Sequence, residues 1–256
     1  MAKKAHMFVE PTPSSAVKRE FVDALGAKGG VFVTFEGGEG AGKSTHIGFL
    51  SQVLESRGYE VVRLREPGGT AIGEALRGVV LDVKNDQMVA ECELLIYEAA
   101  RAQIVHEVIR PALARGAVVL CDRFYDSTIA YQAYGRGLSR EFVRECNHFA
   151  CQGLHPDRTI LMVTGGTAEE GLERATHRFG ADRLEMAGSD FHSKVNKGFL
   201  DLQAADPQRI RLVYSDQPKS VTARRIFEQL SDLFPWMAED GECPDSLFAA
   251  LDVKRA

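Results

Sequence analysis

The sequence predicts an α/β domain in which a parallel sheet is covered by helices on both faces. Short apolar runs bounded by turn residues recur along the chain, as expected of buried parallel strands. The stretches between these runs are long enough for helices, and regular alternation of strands and helices indicates this fold class. The predicted strands are Val31–Glu36, Glu60–Glu66, Ala117–Asp122, Arg158–Thr164 and Arg209–Ser215.

Apolar residues recur at helical spacing in several of the connecting stretches. In the stretch after the first strand, Leu50 and Leu54 lie on one face, and Gly58 follows as a stop signal. The predicted helices are Ser44–Arg57, Gln87–Ala114 with a break near Pro111, and Ser220–Phe234.

The two ends of the chain differ from its middle, and we assign the domain to residues 30–234. Residues 1–29 form an N-terminal extension in which apolar residues recur every four positions over Val17–Leu25. This spacing predicts a short amphipathic helix that packs on the domain or on a partner, with a loosely held extension as the equal alternative. Residues 235–256 form a C-terminal extension of mixed composition, which we expect to be peripheral.

Composition excludes several classes of protein. The chain has 256 residues, with 31 basic and 36 acidic side chains and a formal charge of −5, which argues against a polymeric nucleic-acid partner. Apolar runs such as Ile160–Val163 are far shorter than the roughly 20 residues that a membrane span needs. Residues Met1–Pro13 lack the apolar stretch of a secretory signal. The five cysteines show no C-x-x-C spacing, so we expect reduced thiols in a cytoplasmic protein.

The strongest chemical signal is the segment GGEGAGKS from Gly37 to Ser44, which fits the phosphate-loop pattern G-x-x-x-x-G-K-[ST]. It lies between a predicted strand and a predicted helix, as that pattern requires. Glycines let backbone N–H groups point at phosphate oxygens, and the helix N-terminus adds its positive end. Lys43 would contact the β- and γ-phosphates, and the Ser44 hydroxyl would bind Mg²⁺. The residues predicted to bind a nucleoside triphosphate are Gly37, Gly38, Glu39, Gly40, Ala41, Gly42, Lys43, Ser44 and Thr45.

An acidic and a basic residue, Asp122 and Arg123, follow the third predicted strand. Ligands of open parallel sheets bind at the carboxyl ends of strands. An aspartate there can support Mg²⁺ or its waters, and an arginine suits bidentate binding of phosphate. Taken alone, a surface pair without such a role is an equally good interpretation.

An arginine-rich stretch with Arg174, Arg178 and Arg183 follows the fourth predicted strand. Phosphoryl transfer needs charge neutralised on the transferring group, and a mobile arginine often supplies it. A flexible segment would also close over bound nucleotide and exclude water. A solvated helix face is the alternative, and only the phosphate loop upstream makes the catalytic interpretation competitive.

Four further segments match the pattern of a known family in the right order. They are residues 65–70 (REPGGT), 74–77 (EALR), 93–103 and 120–132 (LCDRFYDSTIAYQ). Together they resemble the thymidylate (dTMP) kinases of bacterial type, over roughly Val31–Phe234. The resemblance implies a P-loop kinase fold, with a five-stranded parallel sheet flanked by helices and a short arginine-bearing lid. It also implies a homodimer that uses ATP and Mg²⁺ to convert dTMP to dTDP for dTTP synthesis by direct in-line transfer.

The resemblance implies how the base and sugar of dTMP are bound. Tyr97 would lie flat against the thymine ring. Arg101, one helical turn later on the same face, would donate to O4 of thymine and reject the amino group of cytosine. Thr128 and Gln132 would line the base pocket, and Tyr131 would crowd the 2′ position of the sugar.

The same resemblance implies the contacts at the phosphates. Glu39 would accept a hydrogen bond from the 3′-hydroxyl, and Arg77 and Arg123 would hold the dTMP phosphate beside Asp122. Arg178 falls where the family carries its catalytic lid arginine. The implied catalytic residues are Lys43, Arg123 and Arg178, and the implied metal ligands are Ser44 and Asp122. A phosphate oxygen of dTMP is already a competent nucleophile, so no covalent intermediate and no general base are expected.

Two other functions stay open at this point. A deoxynucleoside kinase shares the phosphate loop and an Asp-Arg pair but takes an uncharged nucleoside. A nucleotide-dependent switch or binding protein would hydrolyse ATP slowly, use no monophosphate acceptor and need a partner. The segment Asp122–Gln132 argues against the switch.

Overall fold

The computed structural model describes residues 29–165 and 183–253 of the chain. The predicted N-terminal helix at Val17–Leu25 lies outside the described residues, as do Arg174 and Arg178. The predicted arginine-bearing lid therefore stays a prediction.

Five parallel strands form one sheet in the order β2-β3-β1-β4-β5. The predicted fold class and all five predicted strands are confirmed, with ends that agree to within one residue. The central strand β1 is buried along its whole length, and Phe35 on it lies opposite Asp122 on β3. The strands are β1 Val31–Glu36, β2 Val61–Arg65, β3 Val118–Asp122, β4 Arg158–Val163 and β5 Ile210–Tyr214.

Helices flank this sheet, and two of the predicted ones, α1 and α8, form close to their predicted bounds. Within the described residues the α-helices are α1 Lys43–Ser56, α2 Ala71–Leu81, α3 Ala90–Ile104, α4 Arg110–Ala114, α5 Tyr125–Thr128, α6 Arg140–Cys151, α7 Ser189–Ala205, α8 Lys219–Leu230 and α9 Asp245–Ala249. None of the helices in the described ranges has the length and apolar composition needed to cross a membrane.

Alternate side chains of β1 enter different cores, one on each face of the sheet. Val33 and Phe35 pack with apolar residues of α1 and α8. Phe32 points the other way and packs with the helical region from Ile104 to Ala112. Successive side chains of a strand alternate between faces, so this continuous apolar strand is covered by helices on both sides.

The break predicted near Pro111 is present as a change of helix type. The predicted helix Gln87–Ala114 is divided into α3, a π-helical turn over Val105–Ile109, and α4. Proline has no N–H and its ring clashes with the carbonyl four residues earlier in an α-helix. A wider turn just before Pro111 accommodates both effects.

The C-terminal segment, residues 235–253, places three large side chains in the core, so the prediction of a peripheral tail is wrong for these three residues. Trp236, Met237 and Phe248 are buried in the same cluster as α1 and α8. The guanidinium of Arg57 lies 3.9 Å from the centre of the Trp236 ring, whose Nε1 donates to the hydroxyl of Tyr59 at 3.2 Å. The mixed composition of the segment hides a few large apolar residues that cover the outer side of these helices.

Candidate active site

A cleft of about 920 Å³ lies at the carboxyl ends of the strands. Its walls come from the segments that follow β1, β2, β3 and β5, together with α2, α3 and the helical region after α5. One cavity therefore joins the phosphate loop to most residues predicted to bind the acceptor. The predicted residues that line it are Glu39, Gly40, Ala41, Gly42, Lys43, Ser44, Thr45, Arg77, Tyr97, Arg101, Asp122, Arg123, Thr128, Tyr131 and Gln132.

The phosphate loop connects β1 to α1 through tightly constrained glycines. Gly37 has φ 127°, and a Cβ there would lie 2.1 Å from the carbonyl oxygen of Met162, so no larger residue fits. Gly42 caps α1 in the left-handed conformation, and no side chain caps the helix, so its first N–H groups stay available to an anion.

Lys43 folds back over this loop. Its Nζ donates to the carbonyl oxygens of Gly37 and Gly38, each at 3.0 Å. Burial and the neighbouring Arg123 lower the pKa of Lys43, while Glu39 is the first of the carboxylates that oppose this. The amine is thus held inside the loop, close to where the loop would bind a phosphate.

Two oxygen atoms, Ser44 Oγ and Asp122 Oδ2, lie 3.0 Å apart at the open side of the cleft, with the hydroxyl donating. Ser44 is the second residue of α1, and Asp122 ends β3 next to Phe35 of β1. Strand pairing therefore brings together two residues that are 78 positions apart in the sequence.

Arg123 is paired with Glu39 across the cleft. Its Nη1 also donates to the carbonyl of Gly37 at 3.1 Å and to Ser127 Oγ at 3.2 Å. Burial alone would raise the pKa of Glu39, but Arg123 and Lys43 lower it to about 2. Arg123 has φ 70°, a conformation that costs a non-glycine residue about 1–3 kcal/mol and is typical of functional sites.

Glu36, which the sequence reasoning did not assign to the site, holds the loop that carries Arg123. Its buried carboxylate accepts from the N–H of Phe124 at 2.8 Å and from the N–H and hydroxyl of Ser127 at 3.2 and 2.5 Å. Burial, and then the charge of Asp126, raise the pKa of Glu36 to about 7. The sequence signal that could have identified Glu36 was an acidic residue at the end of an apolar strand.

A buried network holds Arg101 at the opposite wall of the cleft. Its Nε and Nη2 lie 2.8 and 2.7 Å from Glu66 Oε2. Its Nη1 lies 2.8 Å from Thr128 Oγ1, 2.9 Å from Asn147 Oδ1 and 3.1 Å from Glu98 Oε1. The structure thus brings together the predicted Arg101 and Thr128, and adds Glu66, Glu98 and Asn147. Glu66 and Glu98 had a sequence signal, as parts of the segments 65–70 and 93–103, whereas Asn147 had none.

The remaining predicted contacts surround this network. Arg77 on α2 donates to the carbonyl of Pro67 at 3.0 Å. Tyr97 is half-buried on α3, one turn before Arg101. Tyr131 is buried in the π-helical turn Ile129–Gly135, with its ring 5.1 Å from the guanidinium carbon of Arg123. These side chains border the same cavity.

Arg183 is buried rather than displayed on a solvated helix face. Its Nε donates to the carbonyl of Val80 at 3.0 Å, and its Nη2 pairs with Glu93. Arg183 thus contacts α2 and α3, and it does not line the cleft with Arg123.

Comparison with known proteins identifies the family. A family model described as thymidylate kinase matches residues 35–226, most of the chain. The chain belongs to the thymidylate kinase family. It is 44% identical to the thymidylate kinase of Desulforudis audaxviator over 219 residues, which cover 84% of this chain and 96% of that one. It is 49% identical to the thymidylate kinase of Pseudomonas fluorescens over 210 residues, which cover 82% and 97%.

The fold agrees with this family. The crystal structure of thymidylate kinase from Ehrlichia chaffeensis superposes with a TM-score of 0.65 at 27% identity, covering 79% of this chain and 99% of that one. The resemblance to thymidylate kinases and the P-loop kinase fold are therefore confirmed. The thymidylate kinase match ends at residue 226, before the C-terminal segment that packs on α8.

Proposed function

We propose that this chain is a thymidylate kinase that transfers the γ-phosphoryl group of ATP to dTMP and forms dTDP. One observation carries the proposal: a single cleft joins a phosphate loop to a wall on which Arg101 is held by a buried network beside Tyr97 and Thr128. The family to which the chain belongs supports the same reaction.

The donor side is built on the phosphate loop. Phosphate oxygens of ATP would replace the carbonyls of Gly37 and Gly38 as partners of Lys43, which lies 3.0 Å from each. Backbone N–H groups of the loop and of the start of α1 would bind the same phosphates. Arg178 stays the proposed source of the additional positive charge on the transferring group.

Ser44 and Asp122 fit a magnesium site. Mg²⁺ binds hard oxygen ligands and is commonly held by one or two side chains together with substrate phosphates and waters. The two oxygens lie 3.0 Å apart beside the loop, so a single ion could contact both, directly or through water. When bound, Mg²⁺ neutralises charge that develops on the β- and γ-phosphate oxygens.

The acceptor side follows from the opposite wall. Tyr97 would stack on thymine while Arg101 donates to O4 from a position fixed by Glu66. Arg77 and Arg123 would bind the dTMP phosphate, so that its oxygen faces the γ-phosphate in line. Glu39 and Tyr131 would contact the sugar, at the 3′-hydroxyl and the 2′ position.

A panel of monophosphates tests this function. Purified protein with ATP and Mg²⁺ should phosphorylate dTMP well above dCMP, dGMP and dAMP. Comparable rates on all four would refute the thymine assignment. Phosphorylation of thymidine in place of dTMP would indicate a deoxynucleoside kinase instead. Slow ATP hydrolysis with no transfer to any monophosphate would indicate a nucleotide-dependent switch.

We also propose that the enzyme is a homodimer, joined through α3 and α6. These two helices pack together, and Leu95, Phe142 and Phe149 on them are each more than half exposed. Phe142 and Phe149 are two helical turns apart and share a face of α6. Sedimentation equilibrium should give a dimer, and Phe149→Glu should weaken it; a monomeric wild type would contradict the proposal.

A further inference from the structure

Glu93 is a wholly buried carboxylate next to the base side of the cleft. It lies on α3 one turn before Tyr97 and two turns before Arg101, on the same face. It accepts hydrogen bonds from Gln132 Nε2 at 2.8 Å and from Arg136 Nε and Nη2 at 3.1 and 3.0 Å. Arg183 provides its second ion pair.

Glu93 is ionised at neutral pH. Burial alone would raise its pKa, but hydrogen bonds from Arg136 and Gln132 and the charges of Arg136 and Arg183 lower it below the ordinary value. An ionised carboxylate has no proton to donate and can only accept hydrogen bonds.

This property dictates how the Gln132 amide is oriented. Its NH₂ group must face Glu93, because the opposite orientation would place an amide oxygen against a carboxylate oxygen at 2.8 Å. The amide oxygen Oε1 is then turned away from the Glu93 carboxylate, where it can accept a hydrogen bond from a donor. Gln132 lines the cleft together with Arg101 and Thr128.

We propose that Glu93 is a positioning residue for base selection, which holds Gln132 so that its Oε1 accepts a hydrogen bond from the ring N3–H of the bound pyrimidine. The inference rests on the proposed function. Thymine carries a donor at N3, whereas cytosine carries an acceptor there, which would face Oε1 lone pair to lone pair. Glu93 thereby contributes to the preference for dTMP over dCMP without touching either nucleotide.

Glu93→Gln tests this role. The neutral amide has both a donor and an acceptor, so the Gln132 amide can adopt either orientation. The ratio of kcat/KM for dTMP to that for dCMP should fall about 10- to 100-fold, because a buried acceptor left without its hydrogen bond costs an amount of free energy in this range. In a Gln132→Leu background, Glu93→Gln should not change the ratio further.

Arg136→Ala is the matched control, because it removes one partner of Glu93 but leaves the carboxylate paired with Arg183 and bonded to Gln132. It should lower thermal stability and leave the dTMP to dCMP ratio within about twofold of the wild type. Equal losses on both nucleotides in Glu93→Gln would overturn the inference. A wild type that does not phosphorylate dTMP would instead overturn the proposed function.

If Glu93→Gln does not fold, a neutron structure of the wild-type enzyme with dTMP decides the question. The two amide deuterons of Gln132 should lie toward Glu93. Deuterons directed at the pyrimidine would overturn the inference.

Discussion

The guanidinium of Arg101 lies 2.7 Å from Oε2 of Glu66, and both side chains are at most 2% exposed. Glu98, Thr128 and Asn147 accept from the same guanidinium. A fixed donor thus forms part of the wall of the cleft, because moving the side chain away would leave the buried Glu66 and Glu98 without this cation.

Removing the carboxylate should be strongly destabilising. Glu66→Ala is expected to lower the free energy of unfolding by about 3–5 kcal/mol, because it leaves a buried guanidinium with less than its full countercharge. Urea denaturation measures the effect. Glu60→Ala, which removes the half-exposed partner of Arg115, should cost less than about 1 kcal/mol. Equal costs would mean that the buried pair is not special.

Lys43→Ala should abolish most of the activity while the fold persists. Lys43 is the cation that we propose to contact the transferring phosphate, and its loss is expected to lower kcat by about 10²–10³. Steady-state kinetics with ATP and dTMP gives kcat, and circular dichroism reports the fold. Lys194→Ala, which removes an exposed pair with Asp190, is the control and should change neither. Retention of a tenth of the activity in Lys43→Ala would contradict the role.

Glu36 should make stability depend on pH. Its pKa is about 7 in the folded chain, against an ordinary value of 4.5 that applies in the unfolded chain. Between pH 4.5 and pH 7 the folded state therefore keeps a proton on Glu36 that the unfolded state has lost. The free energy of unfolding then falls as the pH rises through that window. Glu36→Gln removes this dependence and should gain about 3 kcal/mol relative to the wild type between pH 4 and pH 8.

Urea unfolding at several pH values checks the Glu36 prediction. Groups common to both proteins cancel in the difference between variant and wild type. A constant difference across the range would show that Glu36 ionises as freely in the folded chain as in the unfolded one.

The C-terminal segment should contribute directly to stability. Trp236→Ala removes a buried indole that contacts Arg57 and Tyr59, and should cost about 3–5 kcal/mol. Leu200→Ala on the exposed face of α7 should cost less than about 1 kcal/mol. Thermal denaturation measures both variants, and a small loss for Trp236→Ala would mean that the segment is only loosely attached.

Much of the sheet could be predicted because buried parallel strands are continuous apolar runs. Helices such as α6 and α7 were harder to predict, since part of their length is polar and their stability comes from packing against neighbours. The burial of the C-terminal segment was also missed, because its average composition is mixed and only a few large residues such as Trp236 enter the core.

The site divides in the same way. Lys43, Asp122 and Arg123 could be predicted because they belong to short sequence motifs at the ends of predicted strands. Glu66 and Asn147 support Arg101 from 35 and 46 positions away, and no spacing rule connects them. Such partners follow from the tertiary fold, which brings distant buried charges together.

The pairing of Phe35 with Asp122 means that the register of the sheet fixes the position of the acid relative to the phosphate loop. A single residue inserted between Val118 and Asp122 would turn the acid to the opposite face and carry it away from Ser44. Length changes are therefore tolerable in surface connections but not in β3. New acceptor preferences are more accessible through side chains on α3 and after α5, which can change while the distance between phosphate loop and acid is preserved.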